Sequence, residues 1–380
     1  MSSISEHPIY KGLDNIYVSE TKMSHIDGEK GKLTIRGYPL EEFASLKTNE
    51  EVSYLLMYGR FPNKEERSSH VNELRSHRNL PDATFNLIEA AAKAGVHSMS
   101  ALQMAVSSLS IEFGDVGSDD LEKVKHVGLQ LVAKVPTVLA AYWRVRSGKE
   151  RVAPRRDLGQ AENFLYMLNG EVPSEEEARG LETYLNVVSD HGFNASTFVA
   201  RAIVSTNSDI ISGIAGAIGS LKGDKHGGAP GPALDMIHEI GEVENVRTYV
   251  EKKLANKEVI MGFGHRVYKV RDPRAYVLSE AAERLYVGEK RLFYDKVIAM
   301  EQEILKTLEE LKPGRKIMTN VEFFTALVLQ GVGLRTDIFS SMFAMGRIAG
   351  WVSHIVEQYS DNRLIRPRAR YIGEFDLKLN

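Results

Sequence analysis

Apolar residues recur along much of this chain at steps of three and four, and few stretches alternate. From Arg291 to Leu311 the positions Phe293, Val297, Met300, Ile304, Leu308 and Leu311 form one stripe, which Lys312-Pro313-Gly314 then ends. That spacing puts the apolar side chains on one face of a helix, so an amphipathic surface helix is predicted. Leu121 to Arg146 keeps the same period, with a kink expected at Pro136, which lacks an N–H and crowds the carbonyl four residues back. Thr48 to Glu51 reads as a capping box ahead of Val52, Leu55 and Leu56. Between Ser196 and Leu221 apolar residues such as Phe198, Ile203, Ile211 and Ile218 occupy every face, and the charges are Arg201 and Asp209 alone, which predicts a helix buried on most sides. Period two holds only from Lys32 to Tyr38. The pattern predicts a mostly α protein with one small N-terminal β-hairpin.

Length and composition narrow the class. A chain of 380 residues suggests about two domains and a large core. Hydrophobic residues at 43% and charged residues at 26% fit a globular protein rather than a disordered or membrane one. A net charge of -3 offers no general attraction to nucleic acid or an anionic membrane, so anion binding must come from local clusters. With no cysteine there is no disulfide, thiolate metal site or cysteine nucleophile, and the histidines show neither HxH nor HExxH spacing, so no metal is expected. The opening MSSISEHPIY has no basic and apolar leader, and no long apolar run occurs, from which a cytoplasmic location is expected. GIAGAIG (Gly213 to Gly219) follows no strand and has the wrong spacing for a dinucleotide loop, so close helix packing through small residues is the reading taken.

The densest chemistry lies in GFGHRVYKVRDPR, Gly262 to Arg274. Three arginines and a lysine around His265 call for anions, because Arg presents a rigid fork to carboxylates and phosphates while Lys supplies a mobile point charge. The two glycines let main chain approach a ligand closely. A surface turn with solvated charges is the alternative. Arg347 borders the apolar stripe Ile338, Met342, Met345, Ala349, Val352 and Val356, and a buried Arg there needs a partner, either a bound dicarboxylate or an internal Asp or Glu. His226 precedes Gly227-Gly228-Ala229-Pro230, and Ala233 to Ile237 reads as an opening helix, whose N-terminus would oppose imidazolium and leave the ring neutral.

The Gly262 to Arg274 stretch closely resembles the signature segment of the citrate synthase family. HIDGEKGKLTIRGY (His25 to Tyr38), DHGFNASTF (Asp190 to Phe198), LKGDKHGGAP (Leu221 to Pro230), TNVEFF (Thr319 to Phe324), FAMGRIAGW (Phe343 to Trp351) and RLIRPRARYIG (Arg363 to Gly373) resemble further landmarks, in the family's order. The resemblance implies a two-domain helical fold with a discontinuous large domain, residues 1–226 and 331–380, and a small inserted domain, residues 227–330. It implies a homodimeric enzyme of the tricarboxylic acid cycle that condenses acetyl-CoA with oxaloacetate in the interdomain cleft. No metal or redox cofactor is implied, the CoA thioester being a cosubstrate.

By the same resemblance Glu322 is the base that takes the methyl proton, His226 the donor to the thioester oxygen and His265 the donor to the ketone. His191, Arg274, Arg347 and Arg366 match the dicarboxylate ligands, Arg366 reaching across from the partner subunit. Gly262, Phe263, Gly264, Lys269, Arg315 and Lys316 match the CoA contacts. One departure stands out: most of the family carries Asp where this chain has Glu322, which adds a methylene and about 1.5 Å of reach. A 2-methylcitrate synthase using propionyl-CoA, a citryl-CoA lyase and a non-catalytic CoA-binding paralogue are the competing readings. A nucleic-acid module built on RLIRPRAR is disfavoured by the net charge.

Overall fold

A computed structural model describes residues 8–13, 15–227, 230–265, 268 and 270–378. The chain is mostly helical, with one small antiparallel sheet at its N-terminal end. The predicted helices form: Arg291–Leu311 is a single helix, and Thr48 caps the Asn49–Tyr58 helix in a complete capping box with Glu51. The hairpin forms as well, with a short third strand. Ser24–Asp27 pairs with Lys32–Ile35, which pairs in turn with Tyr38–Pro39. The alternating run therefore breaks at Arg36-Gly37, where both residues have positive φ (49° and 89°), as a tight two-residue hairpin turn requires. The Arg36 guanidinium holds that turn by donating from Nε and Nη2 to the Leu56 carbonyl at 2.9 and 2.7 Å.

The Leu121–Arg146 helix runs through the middle of the large core and is buried along most of its length. It continues through Pro136 without a break. The helical hydrogen bond lost there is replaced from outside, because Gln160 Nε2 donates at 2.8 Å to the carbonyl of Val132, four residues before the proline. Packed against this helix are Asp82–Lys93, Gln160–Asn169 and the late Phe339–Ser360 helix.

The apolar stretch predicted as one buried helix is two. Ala195–Val204 and Ile210–Leu221 pack against each other, separated by a turn in which Asn207 has φ 64° and Asp209 caps the second helix through the Ser212 amide. Their approach is close: a Cβ on Gly216 would stand 2.2 Å from Ile203 Cδ1. Tight packing thus accounts for the glycines of GIAGAIG. No helix among the described residues is long and apolar enough to cross a membrane.

Candidate active site

Three segments bring histidines together beneath the Phe339–Ser360 helix. His191 follows the Glu175–Val188 helix, in a turn fixed by its neighbours. The fully buried Asp190 carboxylate accepts from Ser24 Oγ and from His354 Nε2, the latter at 3.1 Å, while Ser24 Oγ accepts from the Gly192 amide at 2.9 Å. Burial works to raise the Asp190 pKa, but His354, Ser24 and Arg347 outweigh it and hold the carboxyl below its ordinary value. The N-terminal strand, the His191 turn and the late helix are locked to one another through this single side chain.

His226 lies just past the Ile210–Leu221 helix. Its Nε2 accepts the Ser196 amide at 3.2 Å and meets Ser196 Oγ at 2.9 Å, and the same hydroxyl accepts from Trp351 Nε1 at 3.1 Å. An Nε2 that accepts from a main-chain amide carries no proton, so in the neutral ring the proton sits on Nδ1. Burial, and then Arg347, push the His226 pKa down to about 4. The ring is neutral, as its sequence context predicts; the leading cause is desolvation.

His265 sits in the cation-rich segment, its Nδ1 accepting the Tyr268 amide at 3.0 Å. By the same logic its proton lies on Nε2, and burial followed by Arg274 brings its pKa to about 4. Tyr268 also joins this ring to His191, whose Nε2 is 3.1 Å from the phenol oxygen; the two imidazole centroids are 6.0 Å apart. His191 is driven well below the ordinary histidine range by burial, Arg274, Arg347 and the other two histidines. Three neutral imidazoles thus cluster with two guanidinium groups, all within electrostatic reach of His191.

The two arginines differ. Arg274, at the start of the Pro273–Leu285 helix, is buried and held by Asp272 through Nε (3.0 Å) and Nη2 (2.7 Å). Arg347 is 1% exposed, donates from Nε to the Val188 carbonyl at 2.6 Å and lies over the Phe343 ring, yet its Nη1 has no hydrogen-bond partner. Among the described residues no carboxylate comes within ion-pair distance of it. Burial lowers its pKa to about 10, which leaves it charged at neutral pH.

Glu322 opens the Val321–Gly331 helix, where Asn320 Oδ1 accepts its amide at 3.1 Å. Asn320 fastens this helix start to the glycine pair, its amide donating to the Gly262 carbonyl at 2.9 Å and its Nδ2 to the Gly264 carbonyl at 2.8 Å. Both glycines have positive φ (83° and 82°), and a Cβ at Gly262 would press on Phe323 at 3.0 Å. The amide of Gly264 is likewise taken, by the Met318 carbonyl at 2.8 Å. The glycines therefore buttress the acidic residue. Glu322 Oε2 is buried without a hydrogen-bond partner, and burial, partly offset by Arg274, raises its pKa.

The remaining sequence candidates are dispersed. Phe263 is buried against Phe323, while Arg315 and Lys316 are exposed in the turn after the Arg291–Leu311 helix. Arg366 is exposed on the segment after the Phe339–Ser360 helix and makes no hydrogen bond or ion pair with any described residue. Lys269 lies outside the described residues. Residues not singled out in the sequence also belong to the site: Asp272, Tyr268, Ser196, Trp351 and the Asp190–His354 pair. Tyr184 joins them, its buried hydroxyl unpartnered and within electrostatic reach of Arg347 and Glu322. A signal existed for Asp272 and Tyr268, which stand in the same cation-rich segment, and for Asp190 and Ser196, in DHGFNASTF. Open grooves lie elsewhere. One of about 760 Å³ runs beside Phe85 and Arg151 and contains none of these residues, so the site is recognised by its buried polar groups.

Residues 12–368 match the family model described as citrate synthase, C-terminal domain. The chain is 42% identical to citrate synthase 2 of Bacillus subtilis, covering 96% of this chain and 95% of the relative. It is 36% identical to the 2-methylcitrate synthase of Mycobacterium tuberculosis, covering 98% and 92%. Among solved structures it resembles the ternary complex of carboxymethyl coenzyme A and oxaloacetate with citrate synthase from the archaeon Thermoplasma acidophilum, with a TM-score of 0.90, 29% identity and 98% of each chain covered. The chain belongs to the citrate synthase family.

Proposed function

We propose that this enzyme joins the methyl carbon of acetyl-CoA to the ketone carbon of oxaloacetate and hydrolyses the resulting citryl-CoA to citrate and CoA. The observation that carries the reading is Arg347, a buried guanidinium that feels the Asp190 carboxylate electrostatically but pairs with no acid among the described residues and leaves Nη1 without a hydrogen-bond partner, set among three neutral histidines and a second arginine. A dianion supplies the missing partner. One carboxylate of oxaloacetate would be held by Arg347 and His191 and the ketone end by Arg274 and His265, with Arg366 of a second copy completing the cage.

The steps follow from the protonation states. Glu322, in its carboxylate form and poorly solvated, removes a proton from the thioester methyl group. His226, with its proton on Nδ1, donates to the thioester oxygen as the enol forms. The new carbon–carbon bond places negative charge on the former ketone oxygen, which His265 Nε2–H and Arg274 stabilise as hydrogen-bond donors and which takes up one proton in place of the one Glu322 removed; water then cleaves the thioester and CoA leaves as the thiol. No metal or redox cofactor is needed. CoA would run along Gly262, Phe263 and Gly264, with Lys269, Arg315 and Lys316 meeting its phosphates. The proposed assembly is a cytoplasmic homodimer whose lobes, residues 1–226 with 331–380 and residues 227–330, close on oxaloacetate first.

The Mycobacterium relative supports a second reading, propionyl-CoA as the acyl donor in the same site. One methylene in an apolar pocket discriminates by only about 1 to 3 kcal/mol. Thiol release measured with oxaloacetate and each acyl-CoA tests both: a higher kcat/KM for acetyl-CoA supports citrate synthase, and a higher value for propionyl-CoA selects 2-methylcitrate synthase. No release above background with either leaves a non-catalytic CoA-binding protein and overturns the proposal.

A further inference from the structure

We propose that Glu73, His77 and His126 form a binding site for a divalent transition metal of the zinc class, remote from the oxaloacetate pocket. Glu73 lies in the last turn of the Lys64–Ser76 helix and His77 caps its end, so the two are one helical turn apart on the same face. His126 comes from the second turn of the Leu121–Arg146 helix, which packs against the first. One ligand atom from each residue lies within 4.8 Å of the other two. His126 Nδ1 is 2.9 Å from Glu73 Oε1, and the two imidazole centroids are 5.3 Å apart with their planes at 85°.

Two imidazoles and one carboxylate are a zinc donor set that leaves a fourth position for water. Zinc bonds of about 2.0 to 2.2 Å hold neighbouring donors roughly 3.3 Å apart, so closing this set asks for side-chain torsions and no movement of either helix. The surroundings favour it. Neither ring nitrogen of His77 makes a hydrogen bond with a described residue, so its lone pair is not taken by the protein there. The cation nearest to opposing a metal, Lys134, is already engaged by Glu112 at 3.2 Å and by the Asn79 carbonyl at 2.7 Å. A plain His126–Glu73 ion pair would use two of the three groups and give His77 nothing to do. Motif spacing misses this site because its third ligand belongs to a different helix.

A metal here would clip a surface helix to the central one, so its effect should appear in stability rather than turnover. The test uses the full, tag-free chain, stripped of metal with a chelator and titrated with zinc chloride by calorimetry, with melting curves recorded with and without zinc. One tight equivalent per chain and a zinc-dependent rise in Tm are expected. His77→Asn and His126→Asn should each weaken that tight binding by about tenfold or more and remove the rise in Tm. Both variants should keep the wild-type Tm and thiol release when zinc is absent. His226→Asn should retain tight zinc binding. Zinc binding lost in His226→Asn but kept in the two surface variants would assign the metal to the active site and overturn the proposal. Equal binding in all three variants, or none in the wild type, overturns it too.

Discussion

Arg274 Nη2 stands 3.5 Å from Nε2 of His265. Because His265 Nδ1 already accepts the Tyr268 amide, Nε2 carries the proton and both facing atoms are donors. Two donors side by side do not bond to each other; they are aimed at a common acceptor. His265→Gln is therefore expected to lower kcat by about 10² to 10³-fold with a smaller change in the KM for oxaloacetate, since the donor acts on charge that grows in the transition state. Steady-state thiol release checks this, and a near wild-type kcat would remove His265 from the chemistry.

The two buried arginines should respond unequally to the same substitution. Arg274→Met leaves Asp272 buried without its partner, a change that costs about 3 to 5 kcal/mol. Arg347→Met breaks no ion pair and removes a desolvated charge, and Asp190 loses only a longer-range attraction while keeping His354 and Ser24, so the loss in Tm should be much smaller than for Arg274→Met while the KM for oxaloacetate climbs steeply. Melting curves beside saturation kinetics separate the two cases. Equal destabilisation would mean that Arg347 is a structural cation after all.

Glu322→Gln keeps the shape and removes the base, so turnover should drop to background while oxaloacetate still binds in calorimetry. The pKa of Glu322 is raised by burial, so kcat should fall as pH falls through that raised value. The same shift fixes the sign of its effect on stability. Folded Glu322 holds its proton more tightly than the unfolded chain does, so the stability it contributes at low pH is lost as pH rises from about 4.5 through the folded value. Glu322→Gln should thus melt higher than wild type at neutral pH. A Tm unchanged or lower would show that the carboxylate is better solvated than its surroundings suggest.

His226 and His265 predict the acid side. Each has a folded pKa near 4 against an ordinary 6.5, through burial first and a neighbouring arginine second, and His191 shifts the same way. The unfolded chain takes up protons below pH 6.5 that the folded chain refuses, so stability should decline as pH drops from 6.5 toward 4. Melting curves across that window should show a shallower decline for His226→Gln than for wild type. Parallel curves would place the acid sensitivity elsewhere.

The sequence revealed its helices where one face was apolar and the other was not, as along Arg291–Leu311. It hid the break between Val204 and Ile210 because apolar residues fill all faces on both sides, although Ser205 to Asp209 is an unbroken run of turn formers ending in a cap. At the site, the residue types around Gly262 to Arg274 declared an anion. Whether Arg347 faced an internal acid or a ligand could not be read from its stripe, because the answer depends on which distant helices approach it. The Asp190–His354 lock and the Ser196–Trp351 contact were equally hidden, each joining residues more than 150 positions apart.

Gln160 and Pro136 should be coupled although neither touches the site. Gln160 Nε2 supplies the donor that Pro136 denies to the Val132 carbonyl. Gln160→Leu leaves that buried acceptor unpaired and should cost about 1 to 3 kcal/mol, with kcat unchanged. Pro136→Ala restores a main-chain N–H four residues after Val132, so the helix can satisfy the carbonyl itself. In that background the cost of Gln160→Leu should shrink, and a double-mutant cycle read from urea unfolding gives the coupling directly. Strictly additive costs would mean that the glutamine acts through Arg78, whose Nη2 lies 3.4 Å from its Oε1, and not by completing the broken helix.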